Sequence, residues 1–141
     1  LHVTSGDGLP FTDSDCYFAN CLHGTSTPRS SPNWCNTGST EDDPVMLMDD
    51  VDGFGPEETY VPACADSYTV AVHYWSSHGH PLVLSNATVQ VRCGTELPIT
   101  AQRPLTADEQ YWTVLRIRVP ECAVEWIDTL TTRPRGGLGG F

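Results

Sequence analysis

Carboxylates dominate the chemistry this chain could perform. Asp49-Asp50-Val51-Asp52-Gly53-Phe54-Gly55-Pro56-Glu57-Glu58 places five acids and two glycines within ten residues, and Glu41, Asp42 and Asp43 lie just upstream. No Lys or Arg occurs from Ser30 to Val91, so no basic side chain in that span neutralises the run. Carboxylates this dense repel one another unless water screens them or a cation gathers them. A hard divalent ion, Ca2+, is the expected partner, because it is held by roughly six to eight oxygens. Asp43, Asp49, Asp50, Asp52 and Glu57 are the candidate ligands, joined by the backbone carbonyl of Gly53 or Phe54. Gly53 and Gly55 permit the sharp turns that would let these oxygens converge. The spacing is not that of an EF-hand, since a loop starting at Met48 would end on Thr59. The competing reading is a solvated loop in which Asp and Gly only make turns.

Other side chains offer weaker chemistry. His73, His78 and His80 have a spacing that could hold Zn2+ or Cu2+, although packed or surface imidazoles are the commoner outcome. Trp34 and Trp75, with Trp112, Trp126 and Tyr74, could form a stacking platform for a glycan. Trp34, set in a Pro-rich segment, is the expected exposed ring; core filling is the competing role for all of them. Asn86-Ala87-Thr88 is an N-glycosylation sequon. There is no Gly-x-Ser-x-Gly elbow, no His-Glu-x-x-His helix and no phosphate loop. A pair of carboxylates acting as a glycosidase is the remaining catalytic reading, and no enzyme activity is expected.

Bulk properties narrow the partners. A chain of 141 residues fits one domain. Its formal net charge of −11 excludes the basic surface that nucleic acid or an anionic membrane requires. All seven basic residues are Arg, so lysine Schiff-base chemistry is absent. No export signal, membrane-spanning run or amphipathic anchor is legible, and membrane insertion is not expected. Cys16, Cys21, Cys35, Cys64, Cys93 and Cys122 form an even set without a C-x-x-C pair. They read as three disulfides in a secreted or cell-surface protein. Cys93 and Cys122 could tie adjacent strands. Among the other four, one pair is expected to pin the long loop from His23 to Asn36, and the other to anchor the acidic segment to a sheet.

These residues must be held by strands. Period-two alternation is clear in Ser67–Trp75, Asn86–Cys93 and Tyr111–Val119, and helical periodicity is almost absent. Shorter candidates are Leu1–Ser5, Asp15–Ala19, Val45–Met48, Glu58–Val61, Glu96–Thr100 and Ala123–Ile127. Tyr68, Val70, Val72 and Tyr74 should face a core, with His73 and Trp75 on the opposite face. Residues 107–110 read as a tight turn or a single helical turn. The pattern predicts an all-β fold, an immunoglobulin-like or jelly-roll β-sandwich of 7–9 antiparallel strands. It occupies residues 1–132, followed by a Gly-rich tail at 133–141.

Several segments carry a resemblance. Leu1-His2-Val3, Asp15-Cys16-Tyr17-Phe18-Ala19-Asn20, Pro32-Asn33-Trp34, Asp42-Asp43-Pro44, the acidic run from Asp49 to Glu57, and Val72-His73-Tyr74-Trp75 resemble the YfaP-like group of secreted bacterial β-sandwich domains. The likeness extends from Leu1 to Glu121. Its specific part is the D-D-x-D-G-x-G-P-E run followed by V-H-Y-aromatic. It implies an immunoglobulin-like sandwich, export and a structural metal at the acidic run, and it implies no enzyme activity. Members of that group carry a D-x-D before the L-H-V strand, which does not precede Leu1 here. A cation site lacking those acids is implied to be weaker.

The function expected from the sequence is a non-catalytic extracellular subunit. It would self-associate, into a filament or other surface structure, by adding a terminal strand (Leu1, His2 and Val3, or the tail ending at Phe141) to a neighbouring sheet edge. A Ca2+-dependent carbohydrate-binding or adhesion module is the alternative, and a small secreted hydrolase the third reading.

Overall fold

In a computed structural model, residues 1–22, 32–36, 39, 41–51, 55–80 and 84–132 are described. They form nine strands and no helix. The strands are β1 (His2–Ser5), β2 (Asp15–Cys16), β3 (Val45–Met48), β4 (Glu58–Tyr60), β5 (Ser67–Tyr74), β6 (Ser85–Val91), β7 (Ile99–Leu105), β8 (Gln110–Arg118) and β9 (Ala123–Thr132). One five-stranded sheet runs β2-β1-β5-β8-β9, and two hairpins, β3-β4 and β6-β7, complete the fold. All strand pairings are antiparallel.

The core lies between the large sheet and the β6-β7 hairpin, making a β-sandwich stapled by disulfides. Val3, Tyr68, Val70, Trp112, Leu115 and Ile117 come from one layer; Val89 and Leu105 come from the other. Alternation along β6 is strict: Ala87, Val89 and Val91 turn inward while Asn86, Thr88 and Gln90 are exposed. A small second cluster of Cys16, Cys21 and Met46 seats the β3-β4 hairpin, with Leu1, Leu22 and Trp34 packed around it.

A bulge interrupts the alternation of β8. Thr113 pairs with Thr129 and Leu115 with Trp126, so Val114 on β8 faces two residues, Ile127 and Asp128, on β9. Against β5, Val114 is the inserted residue, between Leu115 opposite Val70 and Thr113 opposite Ala71, so Val114 and Leu115 are both buried; on β9, Asp128 takes a positive φ of 47°. Bulges of this kind bend a strand and redirect its side chains.

The disulfides are Cys16–Cys21, Cys35–Cys64 and Cys93–Cys122. Cys93 follows β6 and Cys122 precedes β9, so this bond joins the two layers of the sandwich rather than adjacent strands as expected. Cys16–Cys21 closes the short turn after β2 and does not bridge the long loop. Cys35–Cys64 ties the end of that loop to the segment following β4. The Tyr68 hydroxyl fixes this segment by donating to Pro62 O at 2.6 Å while accepting from Ala65 N at 2.9 Å.

Candidate functional site

The opposite face of the large sheet is also covered, which alternation alone did not indicate. The chain leaving β1 folds back over it, and its tight path needs Gly8, where a Cβ would lie 2.4 Å from that of Ser14. This segment brings Phe11 over His2 of β1, His73 of β5 and Tyr111 of β8, with Tyr17 against His2 and Phe18 against Trp75. His2 stacks on Tyr17 with centroids 5.1 Å apart and meets Phe11, His73 and Tyr111 edge-on.

Two imidazole–carboxylate pairs sit in this layer. His2 Nδ1 donates to Asp15 Oδ2 at 2.6 Å, and the same oxygen accepts from Phe11 N at 2.7 Å. A carboxylate offers no proton, which places the His2 proton on Nδ1. Both side chains are almost wholly buried, and Asp15 Oδ1 is buried without a hydrogen-bond partner among the described residues. Burial lowers the His2 pKa, outweighing the Asp15 hydrogen bond and charge that act to raise it. Burial and then the Asp15 charge push the Tyr111 phenol far upward, so it remains protonated. In the second pair His73 Nε2 lies 3.0 Å from Glu109 Oε2. His73 is therefore a packed residue, its side chain only 3 % exposed, and is not grouped with His78 and His80, which are exposed. This His2–Asp15 pair was missed by sequence reasoning; the only signal was a His and a Thr alternating with Val3 in the first strand.

The acidic run is only partly described, because Asp52, Gly53 and Phe54 lie outside the described residues. Burial, followed by repulsion from Glu57 and Asp50, raises the Asp49 pKa. Gly55 leaves room for the Asp50 carboxylate, since a Cβ there would lie 3.0 Å from Asp50 Oδ1. Glu57 meets the α-amino group of Leu1. Asp43 instead accepts from Trp34 N at 3.0 Å, and Asp42 accepts from Asn36 N and Nδ2, both at 2.8 Å. The Asn36 N–H is the first of several hydrogen bonds that hold the Asp42 carboxyl below its usual range. Thus Asp42 and Asp43 brace the loop end at 34–36. Among the described residues no three His, Cys, Asp or Glu side chains converge as a metal site. The fit to Ca2+ is therefore incomplete: Asp49 and Glu57 carry a repulsion a cation would relieve, but no full ligand shell is described.

The aromatic candidates separate. Trp34 is not the exposed ring expected: it stacks on Tyr68 at 5.8 Å, and its Nε1 donates to Asp13 O at 3.1 Å. Trp75 is half-exposed beside Phe18 and His73. Trp112 is buried, and its Nε1 donates to Asp128 Oδ1 at 2.9 Å. Trp126 is 55 % exposed. It lines an open cleft of about 300 Å³ with Thr100, Gln102, Trp112 and Asp128. Arg103 donates to Asp128 Oδ1 at 2.5 Å and to its backbone carbonyl at 3.2 Å, joining β7 to β9. The Trp112 indole N–H, then Arg103, hold the Asp128 carboxyl below its ordinary value.

The expected assembly residues are also placed. Leu1, His2 and Val3 do not form a free donor strand: β1 pairs with β5 along its length and with β2 at Val3 and Thr4. Its His2, Val3 and Thr4 are buried. Phe141 lies outside the described residues. Asn86 is exposed on the outer face of β6. At the far side of the large sheet, β9 is the edge strand among the described residues.

No family model matches this chain, and neither a curated protein nor a solved structure matches it. The fold and the sites thus define a disulfide-stapled β-sandwich. Its disulfides are compatible with an extracellular setting, and no helix among the described residues is long and apolar enough to cross a membrane.

Proposed function

We propose that the chain is a non-catalytic extracellular structural subunit that associates with further copies of itself along the outer edge of β9. The observation that carries this reading is the contrast between the two edges of the large sheet. One edge ends on β2, a strand of two residues; the other ends on β9, a strand of ten. An exposed edge presents a row of backbone donors and acceptors that another strand can satisfy. The bulge at Ile127 and Asp128 divides this edge. Glu125 and Asp128 guard the first half, while Thr129-Leu130-Thr131-Thr132 carries no charge and is rich in β-branched residues. The second half is the pairing segment. Both imidazole–carboxylate pairs lie within a packed aromatic layer, an arrangement suited to stability more than to turnover. The likeness to YfaP-like domains belongs to the same reading, as does Ca2+ relieving the repulsion between Asp49 and Glu57.

Pairing of two β9 edges about a two-fold axis would close a dimer, whereas a head-to-tail contact would build an open filament. Sedimentation velocity and negative-stain electron microscopy over a range of protein concentrations test the proposal. Assembly by the parent chain and its loss in the Thr129→Lys, Thr132→Lys double variant are expected, because lysine on an edge opposes pairing. A parent chain that stays monomeric throughout, or a double variant that assembles equally well, would remove the proposal.

A further inference from the structure

We propose that the cleft between β7 and β9 binds a neutral hexose-containing glycan, one sugar ring stacking on Trp126 and its neighbouring hydroxyls donating to Asp128. The site begins with the bulge. Val114 opposite Ile127 and Asp128 forces Asp128 into a positive φ of 47°, a conformation uncommon outside glycine. Trp126 and Asp128 line the same cleft beside this kink. Such bulges recur beside binding sites because they re-aim side chains.

The lining has the composition that sugar recognition requires. An indole face offers apolar, electron-rich surface to the C–H groups of a pyranose, and a half-exposed Trp is stabilised by being covered. The carboxylate offers strong acceptors for hydroxyl donors. Asp128 Oδ1 is held by Trp112 Nε1 and Arg103, which fixes the plane of the carboxylate before any ligand arrives. Asp128 Oδ2 accepts no hydrogen bond from a described residue and is available to a hydroxyl. Residues 100–102 of β7 form the opposite wall of the cleft, while the Gln102 amide turns to the outer face of the hairpin, where its Nε2 donates to Thr88 Oγ1 at 3.1 Å. The site thus joins one large apolar surface to a positioned carboxylate, the kind of pairing that orients a small ligand. A volume of about 300 Å³ falls at the lower end of such sites, and the cleft is open, so it suits part of an extended oligosaccharide. Arg103 is already paired with Asp128, and the chain carries a net charge of −11. An anionic sugar would therefore be repelled, whereas the indole face and a single carboxylate acceptor match the C–H and hydroxyl groups of a neutral one.

The test is a 1H–15N correlation titration of the intact chain, following its four Trp indole N–H signals. Maltohexaose, cellohexaose and mannohexaose are added separately, into the millimolar range. At least one should shift the Trp126 signal. It should also shift Trp112, because that N–H donates to the carboxylate the sugar would contact. Trp126→Ala should abolish the response; the ring is more than half exposed, so the fold should tolerate its loss. Asp128→Asn keeps a residue that accepts a positive φ and should weaken binding about tenfold by removing a charged acceptor. The inference is overturned if none of the three sugars moves the Trp126 or Trp112 signal. It is equally overturned if the shifts are confined to Trp34 and Trp75, or if binding survives Trp126→Ala.

Discussion

Between pH 7 and pH 5, acidification should weaken this protein through His2. The imidazole is 2 % exposed and surrounded by Phe11, Tyr17, His73 and Tyr111. Its folded-state pKa lies below the ordinary value of 6.5, burial being the largest cause. The unfolded chain therefore binds a proton before the folded chain does. Stability is complete above the unfolded pKa of 6.5 and falls as pH drops toward the folded value. One proton limits the slope to about 1.4 kcal/mol per pH unit. A loss approaching 1 kcal/mol would lower the melting temperature by about 3–5 °C in a domain of this size. Thermal melts of parent and His2→Gln between pH 7 and pH 5 provide the assay, with the difference in slope as the readout. Glutamine can still donate to Asp15 but does not titrate, so its curve should be flatter. Other groups facing the site, His73 and Glu109 among them, remain in both proteins and cancel in the difference. Equal slopes would refute the reasoning. A parent chain stabilised by acid relative to His2→Gln would reverse it, because the Asp15 charge and hydrogen bond would then outweigh burial and His2 would be cationic in the folded state.

Four further outcomes follow from the packing and the charges. Replacing Cys93 and Cys122 by Ser opens a link across a separation of 29 residues, and chemical denaturation should report a loss of about 3–4 kcal/mol from chain entropy. The shorter Cys16–Cys21 link, with a separation of 5, should be worth about 2 kcal/mol by the same relation. Asp49 has a raised pKa, so its negative charge opposes folding at neutral pH; Asp49→Asn should melt higher than the parent in EDTA. If Ca2+ binds this run, its addition should raise the parent's melting temperature more than the variant's, and equal responses would detach Ca2+ from Asp49. Trp112→Phe removes the largest cause of the depressed Asp128 pKa, so a carboxyl NMR titration should find that pKa moved upward.

How much of this was legible depends on which face of a strand one considers. Every one of the nine expected strands is present, because one wall of each long strand is apolar and alternation records that directly. The shifts fall where local chemistry competes with alternation. β7 runs from Ile99 to Leu105, later than the expected Glu96–Thr100. Pro104 is tolerated within it because β7 belongs to a two-stranded sheet, where one side of each strand needs no ladder hydrogen bond. The second face of β1 and β5 was not legible. His2, Thr4 and Ala71 look like a solvent face until the segment after β1 folds over them, and a period of two does not reveal what a loop will cover. The same blindness misplaced one tryptophan. Trp34 sits in a Pro-rich segment and reads as exposed, but Cys35–Cys64 draws that segment down onto Tyr68. Alternation left Trp126 open between a platform and the core, and it is more than half exposed on β9.

Disulfide pairing and strand order carry non-local information, and both the discarded donor strand and the cleft beside β9 follow from them. A first strand locked between β2 and β5 cannot be offered to a neighbour without opening its own sheet. Its removal should therefore unfold the domain rather than produce the soluble monomer that a free donor strand would leave behind. Deleting residues 1–5 and recording far-ultraviolet circular dichroism and the melting transition distinguishes these cases. Loss of the cooperative transition is expected, since the deletion exposes the β5 edge along its pairing with β1 and leaves Asp15 buried without His2. A folded, monomeric product would restore the N-terminal strand as the assembly element and remove β9 from that role.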